Sequence, residues 1–357
     1  MELREIVIDR IKREGPISFR DFMEMALYYP QLGYYNNEEE KIGTNVDFFT
    51  STCISSLFGE MIAKQIEEMW QQLGKKDFTI LEFGAGKGQL CIDILRQLAY
   101  NPSLYEKIHY CIIEKSESMK AKQKALLPAN IIWYNDVSEV PPFNGCIVSN
   151  EVVDNFSVHQ VKMNEQLMEV FVDYKDDLVE KLEPASLPVR DYVRELKLKF
   201  TSEYRTEINT DAISWIRSVS AVLLRGFVIT IDYGYPSAAL YNNSRSNGTL
   251  TCYHRHRLNY DPYHHIGKQD ITAHVNFSAL RHWGLQNGLS FNGFTSQGYF
   301  LMGLGIAEHA RKRQLNSSSN SIMPLLLTEM GSRMKVLIQS KGVRNNFLSG
   351  LRYPLSL

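Results

Sequence analysis

The first 75 residues of the chain carry apolar positions at helical spacing. Leu3, Val7 and Ile11 recur every four residues, which indicates an amphipathic helix with one buried face. Two further helices of this kind are expected over about 18–28 and 54–73. The sequence therefore predicts that the chain begins with a helical region.

After Gly74 the pattern changes to short apolar runs that alternate with amphipathic helices. Short β-branched runs separated by helices are typical of a parallel sheet that is covered on both faces. The predicted strands are FTILEF (78–83), IHYCIIE (108–114), IIWY (131–134), GCIVSN (145–150), GFVITIDYG (226–234), 289–295 and 334–342. The fold class is therefore predicted to be α/β, with a Rossmann-like, seven-stranded, mostly parallel sheet.

Two stretches interrupt this alternation. The segment 158–174 alternates apolar and polar residues, which predicts a hairpin inserted after the fourth strand. The stretch 235–275 is polar. A polar stretch of this length within a compact domain is more often a functional loop than a connection without a function. The expected organisation is an N-terminal helical region over 1–75, a main α/β domain over 76–342 with insertions near 155–188 and 235–275, and a C-terminal tail over 343–357.

Composition and charge exclude several classes of function. The 39 basic and 40 acidic side chains nearly cancel, so no net field favours nucleic acid or an anionic membrane. No segment approaches the roughly 20 apolar residues that span a bilayer, and the N-terminus resembles no targeting signal. The five cysteines form no C-x-x-C pair, and no H-E-x-x-H motif is present. We therefore expect a cytoplasmic protein with no nucleic-acid partner, no membrane insertion and no metal.

A glycine-rich turn follows the first predicted strand. Glu82 ends that strand, and Gly84, Gly86 and Gly88 follow at every second position before a helix. Glycines let the backbone adopt positive φ and approach a ligand closely, and a helix N-terminus offers free N–H groups. The dinucleotide pattern G-x-G-x-x-G would need glycine where Gln89 stands. An acid before the turn can pair with an ammonium group, which S-adenosylmethionine (SAM) carries and a pyrophosphate lacks, so the turn favours SAM.

Two further acids stand at the ends of the next predicted strands. Glu114 closes the second strand and is placed to accept hydrogen bonds from the two ribose hydroxyls. Asp136 lies just past the third strand, where it can accept from an adenine amino group. The alternative is a tight strand–helix turn with acids exposed on the surface. Because Glu82, Glu114 and Asp136 each stand at a strand end, we favour the SAM site.

A polar segment also leaves the fourth predicted strand. Asn150, Glu151 and Asp154 lie there, and in open α/β sheets ligands bind at the carboxyl ends of the strands. Glu151 and Asp154 are three residues apart, so one helical turn would point both carboxylates the same way. Two carboxylates suit a cationic acceptor, because a guanidinium offers five donors to such a fork. The alternative is that Asn150 and Asp154 only cap a helix.

Further motifs lie along nearly the whole chain. They comprise I-S-F (17–19) with Phe22-Met23, A-L-Y-Y-P (26–30), G-Y-Y (33–35), D-F-F-T-S (47–51), F-G-E (58–60), L-E-F-G (81–84), N-E-x-x-D (150–154), I-D-Y-G (231–234), G-T-L (248–250) with Tyr253, His256 and Asp261-Pro262, and D-I-T-A-H-V-N-F (270–277). In these motifs the chain resembles the MidA family of class I SAM-dependent methyltransferases. It departs from the family pattern at Asn45, Thr52-Cys53 and Asn276.

The resemblance implies both an activity and additional site residues. It implies that SAM methylates an arginine on a protein partner linked to respiratory-complex assembly, with S-adenosyl-L-homocysteine as the product. It also implies that Asp47 and Thr50 help to wall the cofactor site. The stretch 235–275 is expected near the acceptor, and the histidines that it places there are His254, His256 and His274.

Glu151 is the residue expected to act on the acceptor. A guanidinium has a pKa above about 12, so a carboxylate does not deprotonate it in advance. Glu151 would instead orient the guanidinium and accept its proton as the new bond forms, with Asp154 and Asn150 beside it. Two other functions stay open, namely a small-molecule O- or N-methyltransferase and a SAM-binding assembly factor without catalysis. The sequence also leaves a homodimer open.

Overall fold

The structure is a computed structural model that describes residues 2–37, 55–255, 257–313, 323–344 and 347–357. Some positions singled out in the sequence lie outside the described residues, namely Asn45, Asp47, Thr50, Thr52, Cys53 and His256. The chain divides into two compact units. Unit 1 comprises the described residues of Met1–Phe48, Val153–Ser214 and Tyr235–Ala279, and unit 2 those of Phe49–Val152, Trp215–Gly234 and Leu280–Leu357.

The regular elements of the described residues follow in chain order. The strands are β1 (Ile17–Ser18), β2 (Phe78–Phe83), β3 (Ile108–Ile113), β4 (Ile132–Tyr134), β5 (Phe143–Asn150), β6 (His159–Met163), β7 (Leu167–Tyr174), β8 (Leu178–Pro184), β9 (Arg205–Ile208), β10 (Leu223–Tyr235), β11 (Thr251–His254), β12 (Arg257–Asn259), β13 (Asp270–Thr272), β14 (Val275–Asn276), β15 (Ser290–Ser296) and β16 (Met334–Lys341). The helices are α1 (Leu3–Glu14), α2 (Phe19–Tyr28), α3 (Ser56–Gln72), α4 (Gln89–Leu98), α5 (Pro102–Tyr105), α6 (Glu117–Leu126), α7 (Leu187–Glu195), α8 (Asp211–Val222), α9 (Ser237–Leu240), α10 (Phe277–Gln286), α11 (Gln297–Gly303), α12 (Ile306–Lys312) and α13 (Met330–Arg333). Short turns of 3-10 helix lie at Val137–Glu139, Val153–Asn155, Asn243–Arg245 and Ser349–Leu351, and a π-helical turn at Leu325–Glu329.

Unit 2 is built on a mixed sheet in which seven strands pair in the order β15-β16-β10-β5-β2-β3-β4. The strands from β10 to β4 run parallel to one another. β16 is antiparallel to both β10 and β15. The predicted α/β class is confirmed, and the sheet is mixed because its last two strands in the sequence form an antiparallel pair at one edge.

The central strands of this sheet are buried on both faces. Ile80 and Leu81 of β2, like Ile147 and Val148 of β5, are fully buried although they are neighbours in the sequence. Neighbouring residues on a strand point to opposite faces, so both faces of the sheet are covered. This explains why the strands read as continuous apolar runs rather than as alternating ones.

Unit 1 contains two antiparallel sheets. The larger one has the order β1-β7-β6-β9, with β8 also paired to β7, and the smaller has the order β12-β11-β13. The predicted hairpin over 158–174 is present as β6 and β7. The expectation of a loop over 235–275 is wrong, because this stretch holds α9 and the smaller sheet. The strands of that sheet are short and polar, so they gave no apolar pattern in the sequence.

Helices α1 and α2 cover the larger sheet of unit 1. Val7 and Ile11 of α1 and Phe22 of α2 lie in one buried cluster with Val170 and Val172 of β7. Ser18 begins α2, and its side chain accepts a hydrogen bond from the Asp21 N–H at 3.1 Å, as an N-cap serine does. In the described parts of the chain no helix combines the length and apolar character needed to cross a membrane.

Candidate functional site

The glycine turn joins β2 to α4 in unit 2. Gly84, Gly86 and Gly88 have φ values of 60°, 54° and 82°, a region that side chains other than glycine rarely adopt. Gly88 is the N-cap of α4, and a Cβ there would lie 3.0 Å from Leu127 Cδ1. All three predicted glycines therefore suit the backbone path of the turn. The turn leads directly into a helix N-terminus, as an anion- or cofactor-binding loop requires.

Glu82 is a buried acid at the end of β2. It is 2% exposed, and the Tyr110 hydroxyl donates a hydrogen bond of 2.6 Å to its Oε2. Burial raises the pKa of Glu82 to about 7, although the hydrogen bond from Tyr110 lowers it, and the charge of Glu114 raises it further. Glu82 therefore takes up or releases a proton near neutral pH. Its contact with the ammonium group of SAM stays a prediction.

Glu114 is held in place by a buried glutamine. Its Oε1 accepts from the Ser116 N–H at 2.9 Å, and its Oε2 accepts from Gln123 Nε2 at 2.9 Å. Gln123 is 0% exposed, donates also to the Gly86 carbonyl at 2.8 Å, and accepts from Trp133 Nε1 at 2.9 Å. Gln123 thus ties the glycine turn to the predicted ribose acid. Sequence reasoning missed it, because a lone glutamine on a helix carries no recognisable motif.

Asp136 caps a short 3-10 turn. Its Oδ1 accepts from the Ser138 N–H at 2.9 Å and from Ser138 Oγ at 2.7 Å, and these bonds lower its pKa. The neighbouring Asn135 accepts a hydrogen bond from Lys120 of α6. Asp136 thus has a structural role as the N-cap of this turn. Both bonds use the same oxygen, and the adenine contact stays a prediction.

The segment after β5 leaves the sheet through a strained residue. Glu151 has a φ of 53°, although it is not glycine. Its N–H donates to the Ile231 carbonyl at 2.9 Å, and the next N–H, of Val152, donates to Asp232 Oδ2 at 3.2 Å. The Asn150 side chain donates to Glu151 Oε1 at 3.2 Å. A left-handed non-glycine residue costs on the order of 1–3 kcal/mol and persists where its surroundings hold it, as they do here.

This segment also packs against the glycine turn. A Cβ placed on Gly84 would lie 3.1 Å from Val152 Cγ2, so the Val152 side chain packs closely against the Gly84 backbone. Asn150 lies at the same edge of the sheet, and within the described residues its buried Oδ1 has no hydrogen-bond partner. A buried acceptor without a donor is costly unless a ligand supplies one. An amide oxygen here therefore fits a ligand that carries N–H or ammonium donors.

Asp154 belongs to unit 1, where it lies in the 3-10 turn Val153–Asn155 and is 6% exposed. The Ala273 N–H donates to its main-chain carbonyl at 3.0 Å. The predicted helical turn over 151–154 does not form, because Glu151 is left-handed and the helical residues begin only at Val153. The argument that one turn aligns both carboxylates is therefore wrong, whatever role each acid has.

The described histidines of the 235–275 stretch make structural contacts in unit 1. The His254 ring stacks on His265 with centroids 4.1 Å apart, and its Nδ1 lies 2.7 Å from the Lys268 carbonyl. The main-chain N–H of His274 donates to Thr249 Oγ1 at 3.0 Å. Proximity of these histidines to an acceptor stays a prediction.

Asn276 is the one described departure from the family pattern. Its Nδ2 donates to the Tyr192 hydroxyl at 3.0 Å, and its Oδ1 accepts from Ser237 Oγ at 2.9 Å and from the Ala279 N–H at 3.2 Å. The amide thus caps the start of α10 and also supplies a donor that a carboxylate lacks. Asparagine at this position has a structural explanation within unit 1.

Comparison with known proteins decides the family. A sequence profile for S-adenosyl-L-methionine-dependent methyltransferases matches residues 61–295. The chain belongs to this MidA family. The crystal structure of a related protein from Burkholderia thailandensis, bound to S-adenosyl-homocysteine, has 31% sequence identity and a TM-score of 0.90, and the match covers 99% of this chain and 95% of that one.

Curated relatives in the MidA family agree with this assignment. The human protein arginine methyltransferase NDUFAF7, mitochondrial, is 27% identical over 95% of this chain and 81% of its own length. The Caenorhabditis elegans homolog of that enzyme is 26% identical over 88% of this chain and 78% of its own length. The predicted methyltransferase activity and the predicted cofactor, SAM, are confirmed.

Proposed function

We propose that the protein transfers a methyl group from SAM to an arginine side chain of a protein partner. The observation that carries this proposal is the strained backbone at Glu151. An acid is held in a left-handed bend at the carboxyl edge of the sheet, beside the glycine turn. The names of the mitochondrial relatives, which are protein arginine methyltransferases, support the choice of arginine.

The residues around the glycine turn fit SAM. When bound, SAM supplies an activated methyl group on a sulfonium. Glu114, already oriented by Gln123, would accept hydrogen bonds from the ribose hydroxyls. Asn150 Oδ1 is a buried acceptor that lacks a donor among the described residues, and it would accept from the ammonium group. Glu82, whose pKa is about 7, would be stabilised in its ionised form by the same positive charge.

Glu151 would act on the acceptor. Its own N–H and that of Val152 are bound to β10, so the carboxylate extends from a fixed point of the backbone. A fixed carboxylate can orient a planar guanidinium and localise its charge on the nitrogens that face it. The guanidinium keeps its proton until attack begins, because its pKa is above about 12. Glu151 then accepts that proton as the nitrogen–methyl bond forms.

The finer parts of the proposal concern the partner and the assembly. The family resemblance points to a respiratory-complex subunit as the methylated protein. We also propose that the sheet of unit 2 serves as the Rossmann-like cofactor platform that the sequence pattern indicated. A homodimer is compatible with this scheme and is not required by it.

The test is methyl transfer from tritiated SAM into the proteins of a lysate from a strain that lacks this gene. Acid hydrolysis of the labelled product should release label in methylarginine. Glu151→Gln keeps the shape of the side chain but removes its charge, so transfer should fall by about two to four decades while SAM affinity stays near the wild-type value. Glu106→Gln, at an exposed acid of unit 2, is the matched control and should change neither quantity.

Three results would contradict this proposal or the role it gives to Glu151. Label that appears in a small-molecule fraction, with none in protein, would assign the enzyme to the small-molecule methyltransferases. Full transfer by Glu151→Gln would remove the carboxylate from the mechanism. Loss of SAM binding in that variant would instead place Glu151 at the cofactor.

A further inference from the structure

One face of helix α6 contacts three segments of unit 2 that are expected to bind the cofactor. Ser116, Lys120, Gln123 and Leu127 are three or four residues apart, so they lie on the same face of the helix. All four are buried, and all belong to unit 2. The three segments are the glycine turn, the predicted ribose acid Glu114 and the end of β4. The acid is reached first, because the N–H of Ser116, the N-cap of the helix, donates to Glu114 Oε1 at 2.9 Å.

The glycine turn and the end of β4 are reached by two other residues of this face. Lys120 Nζ donates to Asn135 Oδ1, one residue beyond β4. Leu127 lies against the last glycine of the turn, since a Cβ on Gly88 would be 3.0 Å from Leu127 Cδ1. The same helix therefore contacts the turn and the end of β4 at once.

Gln123 is the residue of this face that joins all three segments. Its Nε2 donates to the Gly86 carbonyl at 2.8 Å and to Glu114 Oε2 at 2.9 Å. Its Oε1 accepts from Trp133 Nε1 of β4 at 2.9 Å. The indole N–H can only donate, so it fixes which end of the amide is the oxygen, and both amide hydrogens are then in use. A buried polar group that is satisfied in this way restricts the positions of its partners.

We infer that Gln123 is a positioning residue for the cofactor, which holds Glu114 in the orientation that receives the ribose hydroxyls and fixes the glycine turn beside it. The inference rests on the proposed function, in which Glu114 binds the ribose. A site that is ordered in advance binds more tightly, because the ligand does not have to order it. The effect of Gln123 on binding should therefore pass through Glu114. If Gln123 only stabilised the fold, its loss would lower the melting temperature without changing the recognition of the hydroxyls.

Two variants remove the amide donors of Gln123. Gln123→Glu keeps an oxygen for the Trp133 N–H but sets a second carboxylate against Glu114, and Gln123→Met keeps the length of the side chain without adding charge. Gln65→Glu is the matched control. Gln65 is another fully buried glutamine on a helix of unit 2, and its Nε2 donates to Glu68 Oε2 at 2.9 Å while its Oε1 accepts from a main-chain N–H at 3.1 Å.

The measurement is titration calorimetry of the full chain with S-adenosyl-L-homocysteine and with its 2′,3′-dideoxy analogue, which lacks both ribose hydroxyls. The wild type should bind the analogue about tenfold more weakly or worse, because hydrogen bonds to a charged group are lost. Each Gln123 variant should bind S-adenosyl-L-homocysteine about tenfold more weakly, and removal of the hydroxyls should then cost less than about twofold. Gln65→Glu should keep both wild-type affinities, even where its melting temperature falls as far.

The coupling between the hydroxyls and Gln123 decides the outcome. An equal loss for the hydroxyls in the wild type and in the Gln123 variants would overturn the inference, as would a loss of affinity in Gln65→Glu as large as that in Gln123→Glu. A wild type that binds both ligands equally would remove Glu114 from the ribose, and the role of Gln123 with it. The expected coupling, together with label in a product other than methylarginine, would refute the proposed function and leave the positioning role standing.

Discussion

Replacing Glu82 by glutamine tests the buried acid at the end of β2. In the folded protein burial raises the pKa of this carboxyl from its ordinary 4.5 to about 7, so the folded state binds the proton more tightly than the unfolded state. Glutamine carries no charge at any pH, and its amide oxygen can still accept the hydrogen bond from Tyr110. The substitution therefore removes the titration and keeps the contact.

The expected effect follows from the difference between the two pKa values. Stability that depends on the protonated acid is fully present below pH 4.5 and is lost as pH rises to about 7. At about 1.4 kcal/mol per pH unit, this range corresponds to roughly 3 kcal/mol of unfolding free energy. Relative to the wild type, Glu82→Gln should thus gain about 3 kcal/mol between pH 4.5 and pH 8.

The measurement is urea unfolding of both proteins at a series of pH values across this window. The difference between variant and wild type cancels the contributions of groups that titrate identically in both. Glu60→Gln provides a control of opposite sign in the same unit. Burial alone would raise the pKa of Glu60, but hydrogen bonds from His309 and Arg313 outweigh it and lower the pKa. Removing that charge should therefore cost stability at neutral pH.

Parallel stability curves for Glu82→Gln and the wild type would refute this reasoning. They would mean that Glu82 titrates with the same pKa in the folded and unfolded states, despite its burial. Tyr110→Phe then distinguishes the causes. Loss of the hydroxyl removes the hydrogen bond that stabilises the ionised form, so the pKa of Glu82 should rise further and the loss of stability should continue to higher pH.

Further predictions concern cofactor binding, and each is checked by titration calorimetry or a melting curve. Glu114→Gln should weaken SAM binding by about 1–3 kcal/mol, and an unchanged affinity would mean that Glu114 serves only the contacts to Ser116 and Gln123. Wild-type SAM affinity should rise between pH 6 and pH 8 if the ammonium group pairs with ionised Glu82, and this rise should vanish in Glu82→Gln. Gly88→Ala should lower the melting temperature, because a left-handed residue with a Cβ costs on the order of 1–2 kcal/mol, and unaltered melting would show that the turn relaxes freely.

The α/β class could be predicted from the sequence because its signal is local. Strands such as Phe78–Phe83 and Ile108–Ile113 are buried on both faces and read as unbroken apolar runs. The smaller sheet of unit 1 gave no such signal, because strands of three or four residues such as Thr251–His254 are too short for a period to appear. Pairing between distant strands depends on packing that a local pattern does not contain.

The candidate site, like the fold, could be predicted only where the signal is local in the sequence. The glycines of the turn were recognisable, because positive φ restricts the choice of residue. The hydrogen-bond partners Tyr110 and Gln123 could not be predicted. Tyr110 reaches Glu82 from the neighbouring strand β3, and Gln123 reaches Glu114 from α6. The sequence does not state which residues of separate elements come together. The left-handed backbone of Glu151 was also hidden, since glutamate is not a residue that marks such a bend.

The position of β16 in the sheet has a consequence for synthesis on the ribosome. β16 is the last strand along the chain, yet it lies between β10 and β15. Until residues 334–341 have emerged, each of these two strands has an open hydrogen-bonding edge where β16 will later pair. Open edges recruit other chains, so the nascent protein should be most prone to aggregation just before its final strand appears. Ribosome stalling or truncation within 297–333 should therefore yield chains that bind chaperones or aggregate.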